Sequence, residues 1–195
     1  MAKAQPVEMQ AHAIDNLRYI RRTIERAGSF TAVPGTGGAV MGSIALLAAW
    51  SAGSETGWRW LSVWMAAAVG AVLVGVASAA LKSRRAGLAL LSGPGRKFVA
   101  GFAPAMLAGG LLTAVLFRVG EAALLPGVWM LLYGTGVVSG GSASVRVVPL
   151  MGACFMAAGA LALLFPGLDA NTMLAAAFGG LHIAFGFVIA VKYGG

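Results

Sequence analysis

Charged side chains are scarce in this sequence, and acidic ones are the scarcest. Only 10% of the 195 residues are charged and six residues are Asp or Glu, whereas 59% are hydrophobic and the mean hydropathy is +0.85. A soluble domain carries about 25% charged residues, because polar groups must cover its surface. The scarcity excludes a soluble globular protein. Apolar runs of roughly 20 residues separate the charge clusters, and they predict a multi-pass membrane protein.

Reactive side chains are equally few. Cys154 is the single cysteine, which excludes an intramolecular disulfide and a CxxC metal or redox motif. The chain has two histidines and no HExxH or GxSxG pattern, and no apolar run contains a pair of acids. We therefore expect no enzymatic activity, no metal and no cofactor.

Six spans are predicted, so the fold class is an all-α transmembrane bundle. Spans one and four are the least regular, because Gly, Ser and Pro interrupt them. In chain order the six cover Thr36–Ala52, Leu61–Leu81, Phe98–Phe117, Leu124–Ala143, Val147–Phe165 and Met173–Val191.

Apolar positions in residues 7–27 recur every three or four residues, which predicts an amphipathic helix before the first span. Its basic side chains are Arg18, Arg21, Arg22 and Arg26. Such a helix binds anionic headgroups or a partner protein, and the sequence leaves both open. We divide the chain into a cytoplasmic helix with its elbow, residues 1–30, and a bundle, residues 31–195.

Most lysines and arginines fall at every second connection between the predicted spans. With the N-terminus inside, twelve of the 14 fall on the cytoplasmic side, and only Arg59 and Arg118 fall outside. This bias follows the positive-inside rule, so both termini are predicted to be cytoplasmic. It also accounts for the net charge of +8 without a nucleic-acid partner. The outer interface is predicted to hold an aromatic belt that includes Trp50, Trp58, Trp60 and Trp64.

Glycine is abundant, with 29 residues, and small residues recur four apart. In lipid this spacing lets helices approach closely. We interpret it as packing within one bundle, with an oligomer interface or a ligand contact as the alternative. The pairs are Gly38/Gly42, Ala66/Gly70, Ala71/Gly75 and Gly136/Gly140.

The tripeptide Gly-Thr-Gly occurs at residues 35–37 and again at 134–136, in the two irregular spans. Paired glycine-interrupted spans can mark the halves of an inverted repeat, but the two tripeptides lie at different depths, which favours chance similarity. Gly35 and Gly37 follow Pro34 in an elbow between the N-terminal helix and span one. The hypothesis that they also form a hinge is open, whereas a phosphate-binding loop is not expected because no lysine follows the glycines.

His182 lies in the middle of span six, where an ionisable group is costly and points to function. Tyr133, Thr135 and Ser139 give span four a polar character. Together these four residues form a candidate intramembrane site along a polar path. The alternative for His182 is a neutral side chain that hydrogen-bonds a neighbouring helix.

The segments "IDNLRYIRRTIERAGSFTAVPG" and "GGLHIAFGFVIAVKYGG" resemble bacterial multi-pass membrane proteins of undefined function. The resemblance implies a bacterial inner membrane and no particular activity. The sequence favours a small non-enzymatic membrane protein that binds lipid or a regulatory partner through its basic helix, and it leaves a homo-oligomer possible. The alternative is a transporter or channel for a small solute or protons, with its path near span four and His182.

Overall fold

The computed structural model describes residues 14–17, 31, 33–87, 89–91, 93–165 and 167–194. Within these residues, six helical stretches are long and apolar enough to cross a membrane, which confirms the predicted all-α bundle. Span six is one continuous helical stretch with a π-helical middle. In chain order the helices are α1 (Gly35–Ala52), α2 (Gly57–Arg85), α3 (Gly93–Arg118), a 3₁₀ turn (Ala122–Leu124), α4 (Leu125–Gly141), α5 (Val147–Leu164), α6 (Ala170–Leu174), the π segment (Ala175–Leu181) and α7 (His182–Tyr193).

Helices α1 to α5 are spans one to five, and α6, the π segment and α7 together form span six. The largest differences from the predicted bounds are at α2 and α3, which continue beyond their apolar runs into basic sequence. Helix α2 ends only where Gly87 adopts a φ of +66°, a conformation that glycine takes without steric cost. The predicted N-terminal helix lies outside the described residues, except for one helical turn at residues 14–17.

Hydrogen bonds at the helix ends show how neighbouring spans are oriented. The Nζ atom of Lys82, near the end of α2, donates to the carbonyl of Val33 at 3.1 Å and to the carbonyl of Gly194. The Nδ2 atom of Asn171, at the start of span six, donates to the carbonyl of Gly53 just after α1. Helix α1 therefore runs antiparallel to both α2 and span six.

The two ends of the bundle differ in composition. We call one the basic end; its side chains are Lys82, Arg84, Arg85, Arg96, Lys97, Arg146 and Lys192. We call the other the tryptophan end; it includes Trp50, Trp58, Trp60 and Trp129.

The two irregular spans lie in the interior of the bundle. Helix α1 packs against α2 and span six, and α4 packs against α3 and α5. In the most apolar part of α1 and of α4, 39% of residues are buried, against 6% in α2 and α3. Glycine lowers the hydropathy of a helix but lets another backbone approach it, so the helices that look weakest by hydropathy are the central ones.

Two of the predicted small-residue pairs form close helix contacts within the bundle. Gly38 and Gly42 of α1 face Gly186 and Gly179 of span six. Gly136 and Gly140 of α4 face Phe102 and Phe98 of α3. In contrast, a Cβ added at Gly70 would meet nothing within 4 Å.

Gly35 and Gly37 lie inside helix α1, which begins at Gly35, and not in the elbow before it. A Cβ on Gly35 would collide with the backbone of Ala190, and a Cβ on Gly37 would lie 2.6 Å from the side chain of Ser78. These close contacts show that both glycines are needed for packing. Neither is needed for a turn, because neither adopts a positive φ. An alanine substitution here would change packing as well as flexibility, so it does not test the hinge hypothesis by itself.

The Gly-Thr-Gly tripeptides are not equivalent in the structure. The first opens α1, whereas the second lies in the middle of α4. The neighbours of the two central helices do correspond, since α1 lies against spans two and six and α4 against spans five and three. An inverted repeat of spans one to three and spans four to six requires this correspondence of neighbours. The two tripeptides do not occupy corresponding positions in such a repeat.

Candidate functional site

His182 is the first residue of α7, and its side chain is only 5% exposed. Its Nδ1 atom lies 2.9 Å from the carbonyl oxygen of Phe178, which belongs to the π segment. A carbonyl oxygen can only accept, so we assign the hydrogen of the neutral ring to Nδ1. This assignment leaves Nε2 as an acceptor.

Tyr133 of α4 supplies the donor for that nitrogen. Its hydroxyl oxygen lies 2.7 Å from Nε2 of His182, so the hydroxyl donates to Nε2. Both ring nitrogens of His182 are thus bonded while the imidazole is neutral. The bond joins α4 to span six. It therefore links the group of α3, α4 and α5 to the group of α1, α2 and span six.

Aromatic rings surround this histidine–tyrosine pair. Phe155 of α5 is fully buried, and its ring centroid lies 4.8 Å from that of Tyr133 and 5.2 Å from that of His182. Phe178 lies 5.2 Å from Tyr133, and Phe102 of α3 meets the edge of Tyr133 at 5.7 Å. These distances fall in the range of favourable aromatic pairs, about 4.5–7 Å. The pair is therefore embedded in a packed cluster to which four spans contribute.

Two surface grooves lie elsewhere on the bundle. One, of about 340 Å³, runs between α5 and span six and is lined by Cys154, Met173 and Leu181 among others. The other, of about 240 Å³, lies on α2 around Val69 and Val72. Neither groove is lined by His182 or Tyr133.

Thr135 and Ser139 do not join the predicted polar path. They lie about 200° and 240° around α4 from Tyr133, because an α-helix turns by 3.6 residues per turn. Both are exposed, and Thr135 bonds the carbonyl of Leu131 in its own helix at 2.8 Å. Of the four predicted residues, the structure brings together only His182 and Tyr133.

Sequence reasoning did not identify Asn171. Its Oδ1 atom accepts hydrogen bonds from Nε1 of Trp60 at 2.9 Å and Nε1 of Trp64 at 3.0 Å, and its Nδ2 atom donates to Gly53. Trp60 and Trp64 are buried and face the interior of the bundle, whereas Trp50 and Trp58 are exposed. One signal in the sequence could have predicted a polar partner. Trp60 and Trp64 are four residues apart and share one helical face, and a buried indole N–H requires an acceptor.

A second polar chain lies near the tryptophan end. Nε1 of Trp129 donates to the hydroxyl of Thr113 at 2.8 Å, and that hydroxyl bonds the carbonyl of Gly109 at 2.7 Å. Trp129 also stacks on Trp60, with ring centroids 5.3 Å apart. These contacts hold α2, α3 and α4 together where the chain is richest in tryptophan.

Asp169 caps span six at the same end. Its Oδ2 atom accepts from the backbone N–H of Thr172 at 2.7 Å. This hydrogen bond holds the pKa of the Asp169 carboxyl below its ordinary value of 3.8, because it stabilises the charged form.

Side chains at the basic end are largely exposed. Arg84, Arg85 and Arg96 point to the surface, whereas Lys82 is partly buried and bonded to carbonyls. Burial would favour the uncharged amine, so these carbonyl oxygens compensate the ammonium group. The residues predicted to bind lipid or a partner from the N-terminal helix lie outside the described part of the chain: Arg18, Arg21, Arg22 and Arg26.

Among the described residues, no three His, Cys, Asp or Glu side chains come together in a way that could hold a metal ion. Comparison with protein-family models, curated proteins and solved structures finds no match for this chain.

Proposed function

We propose that this chain is a non-enzymatic integral membrane protein whose basic N-terminal segment binds the anionic surface of the cytoplasmic leaflet, with the bundle as its anchor. Both termini would face the cytoplasm of a bacterial cell. The observation that carries the proposal is the bond between Lys82 and the carbonyl of Val33. It shows that the chain enters the bundle at the basic end. We infer from this that the four arginines of the N-terminal segment bind the membrane surface that the basic loops face.

Charge supports this arrangement. Each Lys or Arg near an anionic membrane surface contributes about 1 kcal/mol to binding, so four arginines on one short segment suffice to hold it there. Within residues 33–194 the acids are Glu55, Glu121 and Asp169, and all three lie at the tryptophan end. Within residues 33–194 the charged side chains of the basic end are therefore all positive.

A fluorescent label near the arginines tests the proposal. The full chain carries Cys154→Ala and Ala13→Cys, an environment-sensitive dye is attached at position 13, and the protein is placed in vesicles of phosphatidylglycerol or phosphatidylcholine. We expect the emission to shift to the blue only in phosphatidylglycerol, because the segment then lies in the headgroup region. The shift should disappear when the four arginines are changed to glutamate.

The matched control is Arg118→Glu, an exposed arginine at the other end of the bundle. It should leave the blue shift intact. Equal emission in the two vesicles contradicts a lipid-binding segment. A photo-crosslinker at position 13 in native membranes then asks whether a partner protein occupies it instead.

The hydrogen bond between Tyr133 and His182 favours a second candidate, a proton-coupled or small-solute transporter. The bond joins α4 to span six at an ionisable side chain. Ionisable side chains within a membrane often line transport paths. Proton uptake into proteoliposomes under a potassium diffusion potential tests this. We expect uptake that His182→Ala and Tyr133→Phe suppress and Thr135→Ala retains. Uptake no greater than in protein-free liposomes refutes this candidate.

A further inference from the structure

Span six departs from α-helical geometry next to its ionisable side chain. Its middle, Ala175–Leu181, is π-helical, and His182 follows directly. A π segment closes its hydrogen bonds over one residue more than an α-helix does, is rare, and occurs frequently at functional sites. Its position beside His182 indicates a connection between the two.

Backbone hydrogen bonding changes at the end of the π segment. In an α-helix the backbone N–H of His182 would bond the carbonyl of Phe178, four residues before it. Here that N–H bonds the carbonyl of Gly179. The carbonyl oxygen of Phe178 lies 2.9 Å from Nδ1 of the His182 side chain. At this carbonyl a side-chain donor therefore takes the place of the α-helical backbone donor.

Packing against α1 does not explain the π segment. A Cβ on Gly179 would lie 2.5 Å from the side chain of Leu46, and a Cβ on Gly186 would lie 2.7 Å from the carbonyl oxygen of Gly35. Both glycines approach α1 closely, although only Gly179 belongs to the π segment and Gly186 belongs to α7. Close approach to α1 is therefore compatible with ordinary α-helical geometry.

The bond to Phe178 makes the two ring nitrogens of His182 unequal. Because a carbonyl oxygen can only accept, Nδ1 retains its hydrogen. Nε2 faces the hydroxyl of Tyr133 at 2.7 Å and is the nitrogen whose unshared electron pair can accept a hydrogen. A proton added to Nε2 makes the ring positive. The Tyr133 hydroxyl then keeps its own hydrogen and turns its oxygen toward the new N–H.

Tyr133 is the titratable group that faces His182 in the described part of the chain. The other rings against the imidazole, Phe155 and Phe178, are apolar. The acids of residues 33–194 all lie at the tryptophan end. Proton uptake at this position therefore depends on Nε2 and the Tyr133 hydroxyl, and not on a neighbouring carboxylate.

We propose that the π segment holds His182 in its Nδ1–H tautomer and thereby makes Nε2 the atom at which the bundle takes up a proton, from the side of Tyr133 and α4. The inference rests on the transport function given above as the second candidate. It deepens that function by naming the proton as the substrate and Nε2 as its binding atom. The carbonyl of Phe178 is the positioning group.

Nitrogen NMR of the neutral ring tests the tautomer. The full chain carries His12→Gln, so that His182 is its only histidine, and is produced with isotope-labelled histidine. At about pH 8, where an ordinary imidazole is neutral, we expect a hydrogen on Nδ1 and none on Nε2. A hydrogen on Nε2 instead of Nδ1 overturns the inference.

Deleting one residue from the π segment tests its role. Without Gly180 the segment can close as an α-helix, so the carbonyl of Phe178 regains a backbone donor and the Nδ1–H form should give way to a mixture of both tautomers. A folded deletion variant that keeps Nδ1–H refutes the role of the π segment. Circular dichroism checks the fold; if this variant is unfolded, deletion of the exposed Ala176 replaces it.

The matched control is Gly180→Ala, which keeps the number of residues in the π segment. Its added Cβ meets nothing within 4 Å, so the ring should keep its hydrogen on Nδ1. Loss of Nδ1–H in this control would show that the tautomer does not depend on the length of the segment, which contradicts the inference.

Tyr133→Phe separates the two partners of the ring. It removes the donor at Nε2 and leaves the carbonyl of Phe178 in place, so the hydrogen should stay on Nδ1. Loss of Nδ1–H in this variant assigns the tautomer to Tyr133 and refutes the role of the π segment. This measurement needs no deletion, so it decides the question even if both deletion variants unfold.

Proton uptake into proteoliposomes separates the inference from the function on which it rests. Uptake by the unmodified chain that the deletion variant loses supports both. An Nδ1–H ring in a chain that takes up no protons refutes the transport function and the named substrate, but it sustains the tautomer assignment. Uptake by a chain whose neutral ring carries its hydrogen on Nε2 refutes the inference alone.

Discussion

The close contact between α4 and α5 makes a sharp prediction for the substitution Gly134→Ala. The added Cβ would lie 2.6 Å from the carbonyl oxygen of Gly152 and 2.7 Å from the backbone nitrogen of Met156. Both atoms belong to the backbone of α5, so no side-chain rotation relieves the overlap. The two helices must move apart instead.

The size of the effect follows from that movement. Ordinary van der Waals contact to a Cβ begins at 3.4 Å, so α4 and α5 must separate by about 0.7 Å near Gly134. A gap of about 0.5–1 Å forfeits a quarter to a half of the dispersion attraction between facing atoms. Helix association in lipid depends on that attraction. We expect a loss of about 1–3 kcal/mol in the free energy of unfolding, the usual range for overpacked sites.

Reversible unfolding of the purified protein in detergent micelles measures this loss, with circular dichroism as the signal. The control is Gly110→Ala in the middle of α3, where an added Cβ meets nothing within 4 Å. Because alanine favours the helix over glycine by up to about 1 kcal/mol, this variant should be as stable as the unmodified chain or slightly more stable.

Two results would refute the reasoning. One is a Gly134→Ala variant as stable as the unmodified chain. The other is an equal loss of stability in both variants, because it would show that the glycines act through helix propensity and not through close approach.

Three further changes test the polar contacts. Tyr133→Phe leaves Nε2 of His182 without its donor and should cost about 0.6–1.7 kcal/mol in the same unfolding assay, so an unchanged stability would contradict the bond. Asn171→Ala removes three hydrogen bonds and should cost about 2 kcal/mol; a smaller loss than that of Tyr133→Phe would contradict its role. The carboxyl of Asp169 has a lowered pKa in the folded state, so its contribution is present above the unfolded pKa and is lost as the pH falls through about 4 and below. Asp169→Asn, which caps without titrating, should remove that part of the acid dependence measured by thermal unfolding.

The candidate site was only partly predictable. The position of His182 in the middle of an apolar run was sufficient to single it out, because charge and burial conflict there. Its partner Tyr133 was among the predicted polar residues, but Thr135 and Ser139 were placed with it wrongly because the face of α4 that meets span six was unknown. Asn171 was missed, since nothing in its local sequence shows that two buried indoles approach it.

The sequence by itself determined that the chain has six helical stretches long and apolar enough to cross a membrane, and it placed them to within a few residues. Length and hydropathy are local properties, because each span must satisfy its own backbone hydrogen bonds and match the bilayer. The tertiary structure alone decided which spans are central and what each glycine is for. Positions 134 and 110 are both glycine in similar apolar sequence. Gly134 nevertheless faces the backbone of α5, whereas Gly110 faces open space. What lies opposite a residue depends on how all six helices pack, and no local pattern contains that information.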